Sequence, residues 1–369
     1  MVFIVRTVLF LILFSKLSYE AAYYGRKVMN DYVHIAAAGY YPIISAVSAA
    51  QNLEVQRICG RRFVEQKDIG DTDYEDDVDD LPISGEDVFS ISNSVGEVRN
   101  GSVFSVGLKK NGSTVFCSGT IISQKHIVAA AHCFASLPGY SDFLDSETIV
   151  TQFSDEIIYG GTCVGENPKK DPLCPESAKV HLNKIKTVSF RREFRGLSLN
   201  TRSDLAIIEV IEPFDFSKEY VKPICLPSYG FSVFDDLTNE TEIISHGFGM
   251  VTDNHYAHSN YLRKGLFRIC HHHFFSENIY EYVSDTSYCI EGDATAMDNK
   301  KQYGICQGDS GGDFILDKNR DNAYMMIGVH SAGNDCSNAE TNHIPFLSVS
   351  EGISNYLTEI CTLTGVCPI

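Results

Sequence analysis

Gly308-Asp309-Ser310-Gly311-Gly312 is the stretch on which the fold of this 369-residue chain turns. Glycines on both sides of a serine let the backbone come close to a substrate and aim its N–H groups inward. Two other segments belong with it. Ala130-Ala131-His132-Cys133 carries a histidine that, alone, would be structural. Ser203-Asp204-Leu205-Ala206-Ile207-Ile208 places a carboxylate at the mouth of an apolar strand, where a bare charge is costly unless it is hydrogen-bonded. Each segment is a weak signal by itself. The three in the order His, Asp, Ser, set among many cysteines, form a strong one.

Short β-rich runs surround these segments, separated by Gly, Asn, Asp and Pro turns: Val103–Leu108, Thr148–Phe153, Leu205–Val210, Phe314–Leu316 and Tyr324–Val329. Many short strands with few helical periods predict an all-β fold, as antiparallel barrels or a sandwich. One helix is expected near the end, where Ile353, Tyr356, Leu357 and Ile360 fall at i, i+3, i+4 and i+7 and give one apolar face to pack on the strands. There is no internal repeat.

Composition narrows the function classes. With 44% hydrophobic and 21% charged residues, wholesale disorder and fibrous repeats are excluded. The length suggests about two core-forming units. Lys and Arg number 30 against 48 Asp and Glu, a net charge of −18, so no basic stripe is available for nucleic acid. Twelve cysteines fit six disulfides in an oxidising compartment. Arg6 followed by the apolar run Val8–Phe14 reads as a signal peptide within residues 1–22, too short for a membrane anchor. The apolar residues 33–50 are broken by Gly39 and Pro42, so no membrane association is expected after signal cleavage. Sequons at Asn100, Asn111 and Asn239 agree with a secreted, extracellular glycoprotein.

Residues 23–90 differ from the rest. They hold Cys59, the dibasic Arg61-Arg62 and an acidic run from Asp68 to Asp80. Self-repulsion makes that run a poor core builder, and a solvated linker is favoured over a calcium loop because the ligand and glycine spacing is missing. His271-His272-His273 lacks Asp, Glu or Cys at ligand spacing and reads as a solvated loop, so no metal or cofactor is expected.

Taken together, the three segments resemble those of the chymotrypsin-like (trypsin-like) serine protease family. The resemblance covers roughly residues 91–360. Cys117-Ser-Gly-Thr-Ile-Ile matches the strand before the family's catalytic histidine, and Pro223-Ile-Cys-Leu-Pro227 the link between its two barrels. His246-Gly-Phe-Gly249 stands where the family has Gly-Trp-Gly, and Ser331-Ala332-Gly333 where it has Ser-Trp-Gly. The looser details resemble a divergent branch expanded in nematodes. The fold implied is two antiparallel six-stranded β-barrels with a C-terminal helix, preceded by a pro-segment at 23–90 and followed by a tail at 361–369.

The resemblance also implies roles. Ser310 would attack the scissile carbonyl, His132 would shuttle the proton, and Asp204 would hold the imidazole in the right tautomer. The N–H groups of Gly308 and Ser310 would form the oxyanion hole. Gly304 would sit at the base of the primary pocket, with Ser331 and Gly333 along its wall and Ile344 limiting its depth. An uncharged base disfavours Arg or Lys and favours medium aliphatic or small aromatic side chains, although Asp335 beside Cys336 could supply a charge from the rim. Ala332 offers less contact area than the family's aromatic wall. The implied disulfides are Cys117–Cys133, Cys270–Cys289, Cys306–Cys336 and Cys59–Cys225. Proximity alone suggests Cys163–Cys174 and Cys361–Cys367. The expected partners are a polypeptide substrate, protein protease inhibitors and an activating protease.

Activation is where the sequence departs from the pattern. The family exposes an apolar N-terminus by cleavage after Arg or Lys, and its ammonium pairs with the residue equivalent to Asp309. Counting back from Cys117 gives Ile91-Ser-Asn-Ser94, preceded by Ser90, and no Lys or Arg lies between Lys67 and Arg99. Ile83-Ser-Gly-Glu86 is a second candidate, preceded by Pro82. Asp313 replaces a usual proline. A secreted protease homologue acting as a binding module is therefore the alternative, alongside a zymogen opened by an unrelated protease. The intact triad favours an enzyme.

Overall fold

Inward-facing apolar residues on short strands close here into two barrels. The computed structural model describes residues 27–37, 39–61, 102–109, 115–134, 156–164, 179–194, 203–238, 240–250, 262–270, 287–292, 304–318, 323–333 and 347–368. The first barrel comprises β2 (Ser105–Lys109), β3 (Val115–Ile121), β4 (His126–Ala129), β5 (Glu156–Tyr159), β6 (His181–Arg191) and β7 (Ala206–Val210). Its order is β6-β5-β2-β3-β4-β7, and antiparallel pairing of β6 with β7 closes it. The second comprises β8 (Ile243–Gly247), β9 (Arg263–Ile269), β10 (Ser287–Gly292), β11 (Asp313–Lys318), β12 (Ala323–Gly333) and β13 (Leu347–Gly352), closed in the order β10-β13-β12-β11-β8-β9. Closure satisfies the strand edges that an open sheet would leave unpaired.

Each barrel has its own core. Val106, Leu108, Ile121, Ile127, Ile157 and Ile208 fill the first. Ile243, Phe267, Ile290, Phe314 and Ile327 fill the second. A third cluster lies between them, where Val128, Leu205 and Ile207 meet Ile244, Ile315 and Val329. The C-terminal segment seals that seam. A 3₁₀ turn (Ile353–Tyr356) runs into a helix (Leu357–Thr364), and Ile353, Tyr356, Leu357 and Ile360 are all buried, as their spacing predicts. Gly365 ends the helix at φ 73°, donating its N–H to Cys361 O.

The seam also carries a buried carboxyl. Asp313, at the position of the usual proline, accepts from Ser105 Oγ (2.8 Å) on β2 and from His246 N (2.9 Å) and His246 Nδ1 (3.2 Å) on β8. A proline there would offer none of these bonds. The substitution thus links the two barrels by side-chain hydrogen bonds.

The sequence reading placed no element between residues 32 and 58, but the structure has two. β1 (Tyr32–Ala36) adds a seventh strand to the first sheet, antiparallel to β6 in the register Tyr32↔Arg191 to Ala36↔Thr187. A helix (Ala49–Ile58) follows, started by a capping box between Ser48 and Gln51. Its Asn52 exchanges two 3.1 Å hydrogen bonds with the backbone of Cys367. Val28, Tyr32, Ile44, Val47 and Val55 enter the inter-barrel core, each such burial contributing about 2 kcal/mol. Such a short strand has no local signal strong enough to announce it, because its hydrogen-bond partner lies about 155 residues away in sequence.

Four disulfides join Cys59–Cys225, Cys117–Cys133, Cys270–Cys289 and Cys361–Cys367. Cys163 and Cys306 are also disulfide-bonded. Their expected partners Cys174 and Cys336 lie outside the described residues, as do Thr148–Phe153, the acidic run, the His271–His273 triplet and the sequon residues Asn100, Asn111 and Asn239. Among the described residues no helix is long and apolar enough to cross a membrane.

Candidate active site

β4 and β7 are neighbours, with Ala129 paired to Ala206, so the residues just beyond their facing ends are brought together. His132 sits in the 3₁₀ turn Ala131–Cys133 that leaves β4, and Asp204 lies two residues before β7. His132 Nδ1 meets Asp204 Oδ2 at 2.7 Å, and the His132 backbone N–H donates to Asp204 Oδ1 at 2.8 Å. The hydroxyl of Ser331, on β12 of the other barrel, donates to Asp204 Oδ2 at 2.5 Å. Burial alone would push the Asp204 carboxyl up. The His132 ring, Ser331 and the His132 N–H together outweigh it and hold the group below the ordinary carboxylate range.

The glycine-rich loop approaches from the second barrel. Ser118 on β3 receives it, with its N–H donating to Ser310 O (2.7 Å) and its hydroxyl to Gly308 O (2.9 Å). Ser310 O also lies 3.7 Å from Cys133 Sγ, in the residue after His132. The expected nucleophile and the expected base thus border the same disulfide, Cys117–Cys133. None of the described backbone hydrogen bonds uses the N–H of Gly308 or of Ser310. Among the described residues, Cys117, His132 and Cys133 also lie close enough for a metal, with potential ligand atoms within 4.8 Å of one another. Both sulfurs are in the disulfide, which leaves no thiolate to bind one.

Two glycines in this loop are there for backbone reasons. Gly308 has φ 99° and Gly311 φ 84°. A Cβ on Gly311 would run into Ser118 O and come within 2.8 Å of Ala130 N, both backbone atoms that cannot swing away. Gly311→Ala is therefore expected to destabilise the protein by about 2–4 kcal/mol, seen as a lower denaturation midpoint. An unchanged midpoint would show that the loop does not depend on this close approach.

Asp309 is buried. Its Oδ1 accepts from Gly249 N (2.7 Å) and its Oδ2 from Cys306 N (3.0 Å). Burial pushes this carboxyl up to about 7, against the weaker opposing pull of those two N–H groups and of Arg263. The expected new N-terminus, Ile91, lies outside the described residues.

The pocket residues are only partly placed. Gly304 is buried just before the loop, Ser331 is committed to Asp204, and Gly333 is exposed at the end of β12. Ile344 and Asp335 lie outside the described residues.

Three buried groups around the site were not singled out in the sequence. His330 is bonded through Nδ1 to Ser348 Oγ at 2.5 Å, and burial together with the nearby His132 lowers it to about 3, so it is neutral at neutral pH. Glu351 Oε1 accepts the Asp204 N–H at 3.3 Å, while its Oε2 accepts from Tyr356 OH at 2.9 Å. Ser203 holds φ 72°, the one positive value on a non-glycine among the described residues, at a cost of about 1–2 kcal/mol. Each takes its role from a partner on another element of the fold. The only local signal is that His330 precedes Ser331 and Ser203 precedes Asp204; Glu351 has none.

Comparison with known proteins gives a consistent picture. The family profile described as Trypsin matches residues 93–353. Over 244 residues the chain is 29% identical to the venom serine protease Bi-VSP of Bombus ignitus, covering 60% of this chain and 53% of that protein. It is 25% identical over 248 residues to CLIP domain-containing serine protease C9 of Anopheles gambiae, covering 63% and 58%. A 23% match over 227 residues to the ovochymase of Halocynthia roretzi covers 61% of this chain but 12% of that protein. The chain thus spans little more than half of the first two relatives and a small part of the third.

Proposed function

The chain belongs to the trypsin family of serine proteases, and on that premise we propose that it is a secreted serine endopeptidase, made as a zymogen, with Ser310, His132 and Asp204 as its catalytic triad. The observation that carries this reading is the pairing of His132 Nδ1 with the buried Asp204. It commits Nδ1 to the carboxylate and leaves Nε2 for a serine hydroxyl. Ser310 Oγ adds to the scissile carbonyl while His132 takes its proton. Collapse of the tetrahedral intermediate expels the amine, which receives that proton, and leaves an ester on Ser310. Water, deprotonated by the same imidazole, then hydrolyses the ester. The N–H groups of Gly308 and Ser310 hold the developing oxyanion, each worth a few kcal/mol in the transition state.

Secretion is supported by the disulfides and by the apolar run Val8–Phe14. A zymogen is supported by Asp309, a buried carboxyl whose oxygens meet only backbone N–H groups among the described residues. In this reading residues 23–90 are the pro-segment, 91–360 the protease domain, and Ile91 the new terminus. A polypeptide is the substrate, and protein inhibitors and an activating protease are natural partners. Labelling of the processed secreted protein by a fluorophosphonate, lost in Ser310→Ala, tests the assignment. A processed wild-type chain that takes up no label would move the protein to the binding-module reading.

Specificity follows from Gly304. A glycine at the pocket base supplies no charge to offset desolvation of a substrate cation. A peptide library is expected to show preference for medium aliphatic or small aromatic residues before the cut, at about 1–3 kcal/mol per methylene. Strong preference for Arg or Lys would transfer the determinant to Asp335.

A further inference from the structure

Arg191 ends β6, and its side chain gathers groups from four separate parts of the chain. Its Nη1 donates to Glu193 Oε1 (2.9 Å) and to Ser203 Oγ (3.1 Å). Its Nη2 is bonded to Glu359 of the C-terminal helix. Its guanidinium lies 4.8 Å from the centre of the Tyr356 ring. From the N-terminal segment, Tyr32 faces it as its direct cross-strand partner. A guanidinium suits this task because its planar fork bonds two acceptors at once while its face stacks on a ring.

Two arms of this cluster end on the same dipeptide. The first runs through Ser203, whose hydroxyl is bonded to both Arg191 and Glu193, the latter at 2.5 Å. Ser203 is the residue held at φ 72°. The second runs through Tyr356, whose hydroxyl donates to Glu351, which in turn accepts the Asp204 N–H. A residue with positive φ just before Asp204 redirects the chain there, so its conformation sets where the carboxylate points. The strain has to be held by contacts, and the side-chain contacts that hold it belong to Arg191 and Glu193.

We propose that Arg191 is a positioning residue for the catalytic carboxylate, clamped from outside by Tyr32 of the N-terminal segment, so that this segment is a working part of the protease. The proposal rests on the reading of Asp204 as the triad carboxylate. Arg191 touches no substrate. It acts through Ser203 and through Tyr356–Glu351 on the direction in which Asp204 meets His132. The N-terminal segment is built to stay, since β1 is paired along β6 and Cys59 is bonded to Cys225. Cleavage after residue 61 would leave the clamp in place.

A cluster that merely glued the N-terminal segment to the body would affect stability alone, and that difference defines the experiment. In the processed enzyme, Arg191→Met is expected to lower kcat about 10–100-fold with KM within twofold, because misplacing a triad member by a fraction of an ångström acts on the chemical step. The low-field Nδ1 proton resonance of His132, which reports its bond to Asp204, should shift or broaden. Arg191→Lys, which keeps the charge but not the fork, should fall between Met and wild type. Ser203→Ala removes one arm with little change of volume and should show the same kcat loss and the same spectral change. It decides the matter if Arg191→Met does not fold. Folded variants with wild-type kcat and an unmoved resonance would overturn the proposal. Failure of the protease reading is recognised separately: the wild-type enzyme would then take no fluorophosphonate, whereas the His132 resonance would still report on Arg191.

Discussion

Ser310→Ala, His132→Ala and Asp204→Asn are each expected to reduce peptidase activity by about 10⁴-fold or more while leaving the fold intact. The reason is that, in the proposed mechanism, the three side chains act as one device. Without Ser310 there is no nucleophile, and without His132 the hydroxyl keeps its proton. The Asp204 substitution is the most instructive. The carboxylate accepts from His132 Nδ1, from the His132 N–H and from Ser331 Oγ. An amide in its place can present an N–H to the imidazole and select the wrong tautomer, while the imidazolium formed in the reaction loses its counter-charge. Steady-state kinetics on a peptide substrate, with circular dichroism to verify the fold, makes the check. A Ser310→Ala protein that still hydrolyses the peptide at the wild-type rate would assign the nucleophile elsewhere.

Asp309→Asn should abolish activation and, in the uncleaved chain, remove a pH dependence of stability. The sign follows from the direction of the shift. The folded-state carboxyl is raised from 3.8 to about 7, so between those values the folded chain holds a proton that the unfolded chain has lost. Stability from this group is fully present below about pH 4 and is lost as the pH rises through 7, by as much as about 4 kcal/mol. Asparagine cannot ionise, so the variant's stability should be flat from pH 4 to 8 while that of the wild-type precursor falls; the whole variant curve is set lower, because its amide NH2 cannot accept from Gly249 N or Cys306 N as the carboxyl oxygen did. In the proposed zymogen, cleavage would bring an ammonium against Asp309 and favour the ionised form, so the wild-type mature enzyme should lose the slope. Urea denaturation of precursor, mature enzyme and variant between pH 4 and 8 measures this. Parallel curves for wild-type and variant precursors would mean that Asp309 is not the ionisable core of the switch.

The family and the class of fold were legible in the sequence because they rest on local chemistry. Gly308-Asp309-Ser310-Gly311-Gly312 needs glycine where φ is positive and where a Cβ would strike Ser118 and Ala130, so those residue types appear in the chain itself. The C-terminal helix showed in the spacing of Ile353, Tyr356, Leu357 and Ile360, because burying one face imposes a helical period. Ser310, His132 and Asp204 stand out as candidates for the same reason, each set in a short segment that resembles the family.

Other features had no local signature. β1 was hidden because five residues paired to β6 carry too little pattern to stand out. Asp313 stands in the sequence only as a replacement of a usual proline, and its partners Ser105 and His246 come from two other strands. Arg191 carries no signal in its own segment, since its partners Tyr32, Glu359 and Tyr356 are brought to it only when the N-terminal segment and the C-terminal helix close on the barrels. Sequence thus determined what the backbone can do within a few residues, where steric and periodic constraints act. The tertiary structure alone decided which buried polar groups meet, because a hydrogen bond inside a core is set by two surfaces and neither strand encodes the other.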